Sequence, residues 1–139
     1  MAEPKSMYVG VKALIQRKDG KILLLKVDKE KDLSFLGDWD LPGGRLLKND
    51  QSVYERLVEK IKEETGIKNC KPIRVVAAGL VNRLNLFLVI YLCEVVRGGE
   101  EVTTDRGHGE YEWVVPKGAA DLLWQLSDEL RNQLRELKI

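Results

Sequence analysis

The stretch LPGGRLLKNDQSVYERLVEKIKEETGI, residues 41–67, sets a glycine turn directly before a strongly signalled helix, and the rest of the chain can be read outward from it. Pro42, Gly43 and Gly44 interrupt regular structure. Ser52 has N-cap chemistry, Glu55 three residues later completes a capping box, and Gly66 supplies a stop after Thr65. Between these signals Val53, Leu57 and Ile61 fall four apart, and Tyr54 and Val58 widen them into one apolar stripe. The pattern predicts a helix that packs this stripe on a sheet and turns a charged side away from it.

Upstream, Val9, Val11, Ala13 and Ile15 alternate with other residues, and Lys18-Asp19-Gly20 marks a turn before the run 21–27. That is the signature of a β-hairpin. A charged stretch, 28–32, then leads to a shaped loop over Leu36-Gly37-Asp38-Trp39-Asp40-Leu41-Pro42-Gly43-Gly44. Downstream, residues 73–78 and 84–96 are rich in β-formers and are joined by Asn82-Arg83-Leu84-Asn85, which predicts a second hairpin. Residues 97–110 are polar and glycine-rich and read as a long mobile loop. A short strand over 111–115 follows, ended by Pro116, and the leucines of 119–137 recur at helical spacing with a break near Ser127. The expected fold class is α/β (α+β), a mixed β-sheet covered by helices, in one domain spanning 1–139.

Composition narrows the function classes. Among 139 residues, 23 basic and 22 acidic side chains leave a formal charge of +1, with no block of like charges. That argues against a dedicated nucleic-acid or membrane-surface protein. The longest apolar runs are too short and too interrupted to span a bilayer, and residues 1–7 carry no apolar signal core. Cys70 and Cys93 have neither metal-ligand spacing nor disulfide-scaffold density, so two reduced thiols in a cytoplasmic protein are expected.

The run 41–67 resembles the Nudix box, whose family pattern is G-x5-E-x7-R-E-U-x-E-E-x-G-U with U an aliphatic residue. Gly-Trp-Asp-Leu-Pro-Gly-Gly before it, Glu63-Glu64-Thr65-Gly66-Ile67 at its end, and Tyr111-Glu112-Trp113-Val114 with the following helix all fit the resemblance, which covers nearly the whole chain. It implies a Nudix-type mixed sheet sandwiched between helices. It also implies a hydrolase that uses Mg2+ or Mn2+ on a nucleoside diphosphate linked to another moiety, such as a nucleotide sugar. The chemistry is intelligible without the family. A diphosphate is crowded with negative charge, and divalent cations neutralise its oxygens and orient water. Such hard ions need oxygen ligands, and carboxylates three and four apart share one helix face.

The resemblance carries the metal set to Gly44, Glu63 and Glu64, the two glutamates serving catalysis as well. The remaining ligand position is held by Lys60 and the preceding arginine position by Glu59, so both charges are reversed. Counting from Gly44 puts the first acidic position at Asp50, and counting back from Glu59 puts it at Gln51. Lys60, four residues before Glu64, is expected to pair with that carboxylate and to lower metal affinity. Gly43-Gly44-Arg45 and Lys48 also resemble the GDP-mannose mannosyl hydrolase branch. In that branch a histidine before a Tyr-x-Trp element acts as base. The matching residue is His108, three before Tyr111, and an imidazole suits general-base work near neutrality.

Arg45, Lys60 and Trp39 are the residues expected to face substrate, although Trp39, like Trp113, serves burial first. The glycine turn and the Glu63-Glu64 pair favour an active hydrolase; a weakened Nudix-fold module that binds a nucleotide or a protein partner is the alternative. The sequence leaves a homodimer open.

Overall fold

A computed structural model describes residues 2–30, 36–96, 101–103 and 110–139. Among these residues the chain forms seven strands, three α-helices and a short 3-10 helix (Asn82–Leu84): β1 (Tyr8–Gln16), β2 (Ile22–Lys26), β3 (Trp39–Asp40), β4 (Gly43–Arg45), α1 (Val53–Thr65), β5 (Cys70–Val81), β6 (Leu86–Val95), β7 (Tyr111–Val114), α2 (Pro116–Leu122) and α3 (Asp128–Arg135). The path β3-β2-β1-β6-β5 makes one sheet, with β4 added to β1 and β7 to β2. The β1–β6 pair is parallel and the other pairs are antiparallel, so the sheet is mixed.

Alternation along the central strands divides the core in two, because successive side chains leave opposite faces. Val11, Ala13, Ile15, Leu23 and Leu25 meet Leu57 and Ile61 of α1. Leu14, Ile22 and Leu24 point the other way and meet Leu123, Leu130 and Leu134 around α2 and α3. A sheet covered on both faces explains why β2 is a nearly continuous apolar run, buried at all but its last residue. Truncating Leu57 or Ile61 to alanine would cost about 2–5 kcal/mol, the usual loss for a fully buried aliphatic.

Helix α1 starts and stops where its caps require. Ser52 accepts the Glu55 N–H at 3.1 Å, and Gly66 adopts a left-handed φ of 73° while its N–H returns to the Lys62 carbonyl. The stripe is narrower than the sequence suggests, because Tyr54 stays exposed and Leu57 and Ile61 carry the burial. The second hairpin is longer than expected. Its first strand runs on from Ala78 to Val81, with two register shifts that let a Pro72-containing strand remain paired, and Asn85 turns the chain at a left-handed φ of 51°.

Pro116 begins α2 rather than only ending β7, as its fixed φ and missing N–H allow at a first helical position. The break falls at Ser127, which caps α3 by accepting the Leu130 N–H. Part of the expected mobile loop is tied down. Val102 is buried in the α1-side core, and the Thr103 N–H donates to the Thr65 carbonyl at 2.7 Å. Both thiols are buried in that same cluster. A hydrogen bond with Cys70, together with burial, pushes the Cys93 thiol far above its ordinary range.

Candidate functional site

The glycine turn is built by pairing. Gly43 lies opposite Lys12 and Gly44 opposite Val11 in the β1–β4 ladder. Gly43 has φ 142°, and a Cβ there would lie 2.1 Å from the Val11 carbonyl oxygen and 2.8 Å from the Lys12 Cα. Only glycine fits against that backbone. The turn is then clamped to the end of α1, because the Gly43 N–H donates to Glu64 Oε1 at 3.0 Å. Glu64 is almost fully buried, so this contact meets part of the cost of placing a carboxylate inside. Thr65 beside it turns its hydroxyl back to the Ile61 carbonyl at 2.6 Å and accepts the Ile67 N–H, which fixes the last turn of the helix.

Lys60 lies across Gly44: a Cβ on that glycine would stand 3.1 Å from Lys60 Cε. Its ion pair is with Glu63, Nζ to Oε1 3.6 Å, and not with Glu64 as the spacing suggested. The reason is orientation, since Glu64 is turned into the protein toward Gly43 while Glu63 remains more than half exposed. Asp50 serves a structural purpose. It accepts the Leu47 N–H at 2.6 Å and pairs with Arg56, whose Nε also donates to the Arg45 carbonyl at 3.2 Å.

The metal question therefore rests on Gly44, Glu63 and Glu64. The described residues contain no group of three or more histidine, cysteine or acidic side chains able to hold a metal ion. Two carboxylates and a carbonyl have the hard-oxygen chemistry that magnesium or manganese prefers, and Lys60 adds an opposing charge beside them. By donor chemistry alone the set suits a divalent cation, while Glu64 is engaged by the Gly43 N–H and Glu63 by Lys60.

Next to this turn opens a cavity of about 290 Å³, with Gly44 and Arg45 at its edge. Leu84, Leu86 and Leu88 supply apolar wall, while Lys12 and Arg83 contribute cations. Arg45 is held with its guanidinium 4.7 Å from the Tyr8 ring. A connected set of polar contacts borders the cavity. Lys12 Nζ pairs with Asp40 Oδ2 at 2.9 Å and donates to the Leu41 carbonyl at 3.1 Å. Asp40 Oδ1 accepts from the Leu41 N–H and from Gln125 Nε2, at 2.8 and 2.9 Å. Arg83 reaches the Gln125 carbonyl at 3.2 Å.

The structure thus brings Glu63, Glu64, Gly44, Lys60 and Arg45 to one region. It places Trp39 on β3, partly buried against the α2–α3 side of the core, in a packing position. His108 lies outside the described residues. Lys12, Asp40, Arg83 and Gln125 were not singled out by the sequence reading. Lys12 was visible only as a lysine between Val11 and Ala13, on the other face of β1, and Asp40 as an acid just before Leu41-Pro42; Gln125 sends no comparable signal.

Residues 7–137 match the NUDIX domain, and the chain belongs to that family. It is a Nudix-type hydrolase. Among curated proteins none matches the chain. Solved structures similar to it include a MutT protein from Methanosarcina mazei, 23% identical over 96% of this chain and 94% of the other, with a TM-score of 0.67. An ADP-ribose pyrophosphatase from Streptococcus suis is 26% identical over 94% of this chain and 91% of its own, with a TM-score of 0.68. An Ap4A hydrolase from C. elegans is 17% identical, covering 92% of this chain and 93% of that one, with a TM-score of 0.69. No helix of the described residues is long and apolar enough to cross a membrane.

Proposed function

We propose that this single-domain chain is a metal-dependent hydrolase of a nucleoside diphosphate linked to another moiety, such as a nucleotide sugar. The observation that carries this reading is the clamp between Gly43 and buried Glu64, which docks the acidic end of α1 on the glycine turn beside a cation-lined cavity. The names of two similar structures, an ADP-ribose pyrophosphatase from Streptococcus suis and an Ap4A hydrolase from C. elegans, support a nucleotide derivative as substrate.

In this reading Gly44, Glu63 and Glu64 hold Mg2+ or Mn2+. Bound there, the ion would supply positive charge to the diphosphate oxygens and an acidified water. Lys60 places one further cation over Gly44, and Arg45 and Arg83 add positive charge at the cavity, where an anionic substrate would be drawn. The apolar wall would take the uncharged part of the nucleotide and exclude water around it. His108, three residues before Tyr111, remains the proposed general base. Buried reduced thiols fit a cytoplasmic protein.

A screen of nucleotide sugars and dinucleotides with magnesium or manganese, read as phosphate release with a coupled phosphatase, tests the proposal. Hydrolysis of at least one diphosphate-linked nucleotide, abolished by chelation, is the expected result. Metal-independent turnover, or hydrolysis confined to compounds without a diphosphate, would contradict it.

A further inference from the structure

We infer that Lys12 is a positioning residue for the ion site: it grips the glycine turn from the side opposite Glu64 and so sets where Gly44 stands. The inference rests on the assignment of Gly44, Glu63 and Glu64 to a divalent ion in the proposed function. It gives Lys12 no contact with ion or substrate of its own.

Alternation along β1 puts Lys12 on the same face as Leu14, away from α1. A lysine ordinarily carries its ammonium out to water. This one does not: its side chain is 19% exposed, and Nζ is bonded to Asp40 Oδ2 at 2.9 Å and to the Leu41 carbonyl at 3.1 Å. The stem is as informative as the head. Lys12 stands opposite Gly43 in the β1–β4 ladder, and a Cβ on Gly43 would lie 3.0 Å from Lys12 Cδ. The stem therefore lies against the turn while the head holds the two residues that lead into it.

From the α1 side, Glu64 Oε1 accepts the Gly43 N–H and the Lys60 stem crosses Gly44. Ladder bonds such as that from the Ala13 N–H to the Pro42 carbonyl tie β1 to the turn within the plane of the sheet. Lys12 and Glu64 act across that plane, one from each face. Asp40 offsets the charge of Lys12, so geometry rather than field is what the lysine contributes. The two roles differ in sign. Removing a cation near a metal site should tighten metal binding on Coulomb grounds, whereas removing a support should weaken it.

Manganese titration by calorimetry into the intact protein makes the comparison. Lys12→Met should bind about tenfold or more weakly than the wild type, the usual loss when a group that orients a ligand is removed. That variant leaves Asp40 buried without its cation, which works against folding. Lys12→Met combined with Asp40→Asn removes both charges, keeps the net charge, and should show the same weakening. Lys12→Arg keeps a cation with several donors and should stay within about threefold of the wild type. In the metal-free double variant, hydrogen exchange of the Gly43 amide should quicken by about tenfold or more while that of Ile61 in α1 keeps its rate, since a general loss of stability would quicken both. Manganese affinity within about twofold of the wild type in the folded double variant would overturn the inference and leave the metal assignment standing. Tighter binding by Lys12→Met, or Gly43 exchange that quickens no more than that of Ile61, would overturn it too. A wild-type protein that binds no manganese would overturn both.

Discussion

Replacing Lys60 with glutamate perturbs the ion site where it departs most from the family pattern. Lys60 Nζ lies 3.6 Å from Glu63, its side chain is only 18% exposed, and its stem covers Gly44. The substitution changes the local charge by two units, so the charge product with a divalent ion changes by four. At about 6 Å and a water-like dielectric of about 80, each unit product is worth roughly 0.7 kcal/mol, and four give about 3 kcal/mol, on the order of 100-fold in affinity. Salt screening reduces this, and crowding a third carboxylate beside Glu63 and Glu64 opposes it by a few tenths of a kcal/mol per pair. A tightening of at least about tenfold remains. Manganese titration by calorimetry at fixed ionic strength reads it directly. The metal-free variant should lose up to about 1 kcal/mol of stability, since an attractive partly exposed pair becomes repulsive. Turnover should fall, because Lys60 would no longer place its charge near the substrate. Unchanged metal affinity would put Lys60 outside the site and refute the alignment of α1 on which the ligand assignment rests. Turnover that rises with affinity would show instead that the lysine had weakened an ion-dependent site.

Three further outcomes follow from the same geometry. Gly43→Ala should lose at least about 3 kcal/mol in urea denaturation, combining a φ that side chains avoid with a Cβ driven onto the backbone of β1; a loss under 1 kcal/mol would mean that the turn relaxes freely. The thiols of Cys70 and Cys93 should resist a disulfide reagent at pH 8 in the native state and react on unfolding, because Cys93 is held protonated by its hydrogen bond with Cys70 and by burial; rapid native labelling of Cys93 would contradict that packing. His108→Ala should cut turnover on the best substrate by about 100-fold if the histidine is the base, and wild-type turnover would remove it from the mechanism.

Much of the architecture was legible because local and global signals agree. Ser52 and Gly66 bound α1 in sequence and in space, and the alternation Val11, Ala13, Ile15 already separates the two faces of β1. Where the reading fell short, tertiary context decided. Pro72 and the irregular register hid the full length of β5, since a proline ordinarily argues against a paired strand. Tyr54 fits the helical stripe by spacing but lies beyond the reach of the sheet.

The site divides in the same way. Glu63, Glu64 and Gly44 could be proposed from one contiguous run, but only the fold shows Glu64 turned onto the Gly43 N–H while Glu63 stays on the exposed side. The choice of Lys60's partner could not be read there, because spacing allows both glutamates and only the turn of Glu64 into the Gly43 N–H settles it. The wall of Lys12, Asp40 and Gln125 joins residues up to 113 positions apart, taking 125 minus 12. A single sequence cannot display such a contact.

The central claim is that Gly44, Glu63 and Glu64 still hold a divalent ion despite Lys60. Glu64→Gln isolates it, because glutamine keeps an oxygen for the Gly43 N–H and removes the charge. Calorimetric titration of manganese into the wild type and this variant should show the variant binding at least about tenfold more weakly, with both proteins folded. Equal affinity in the two would contradict the account.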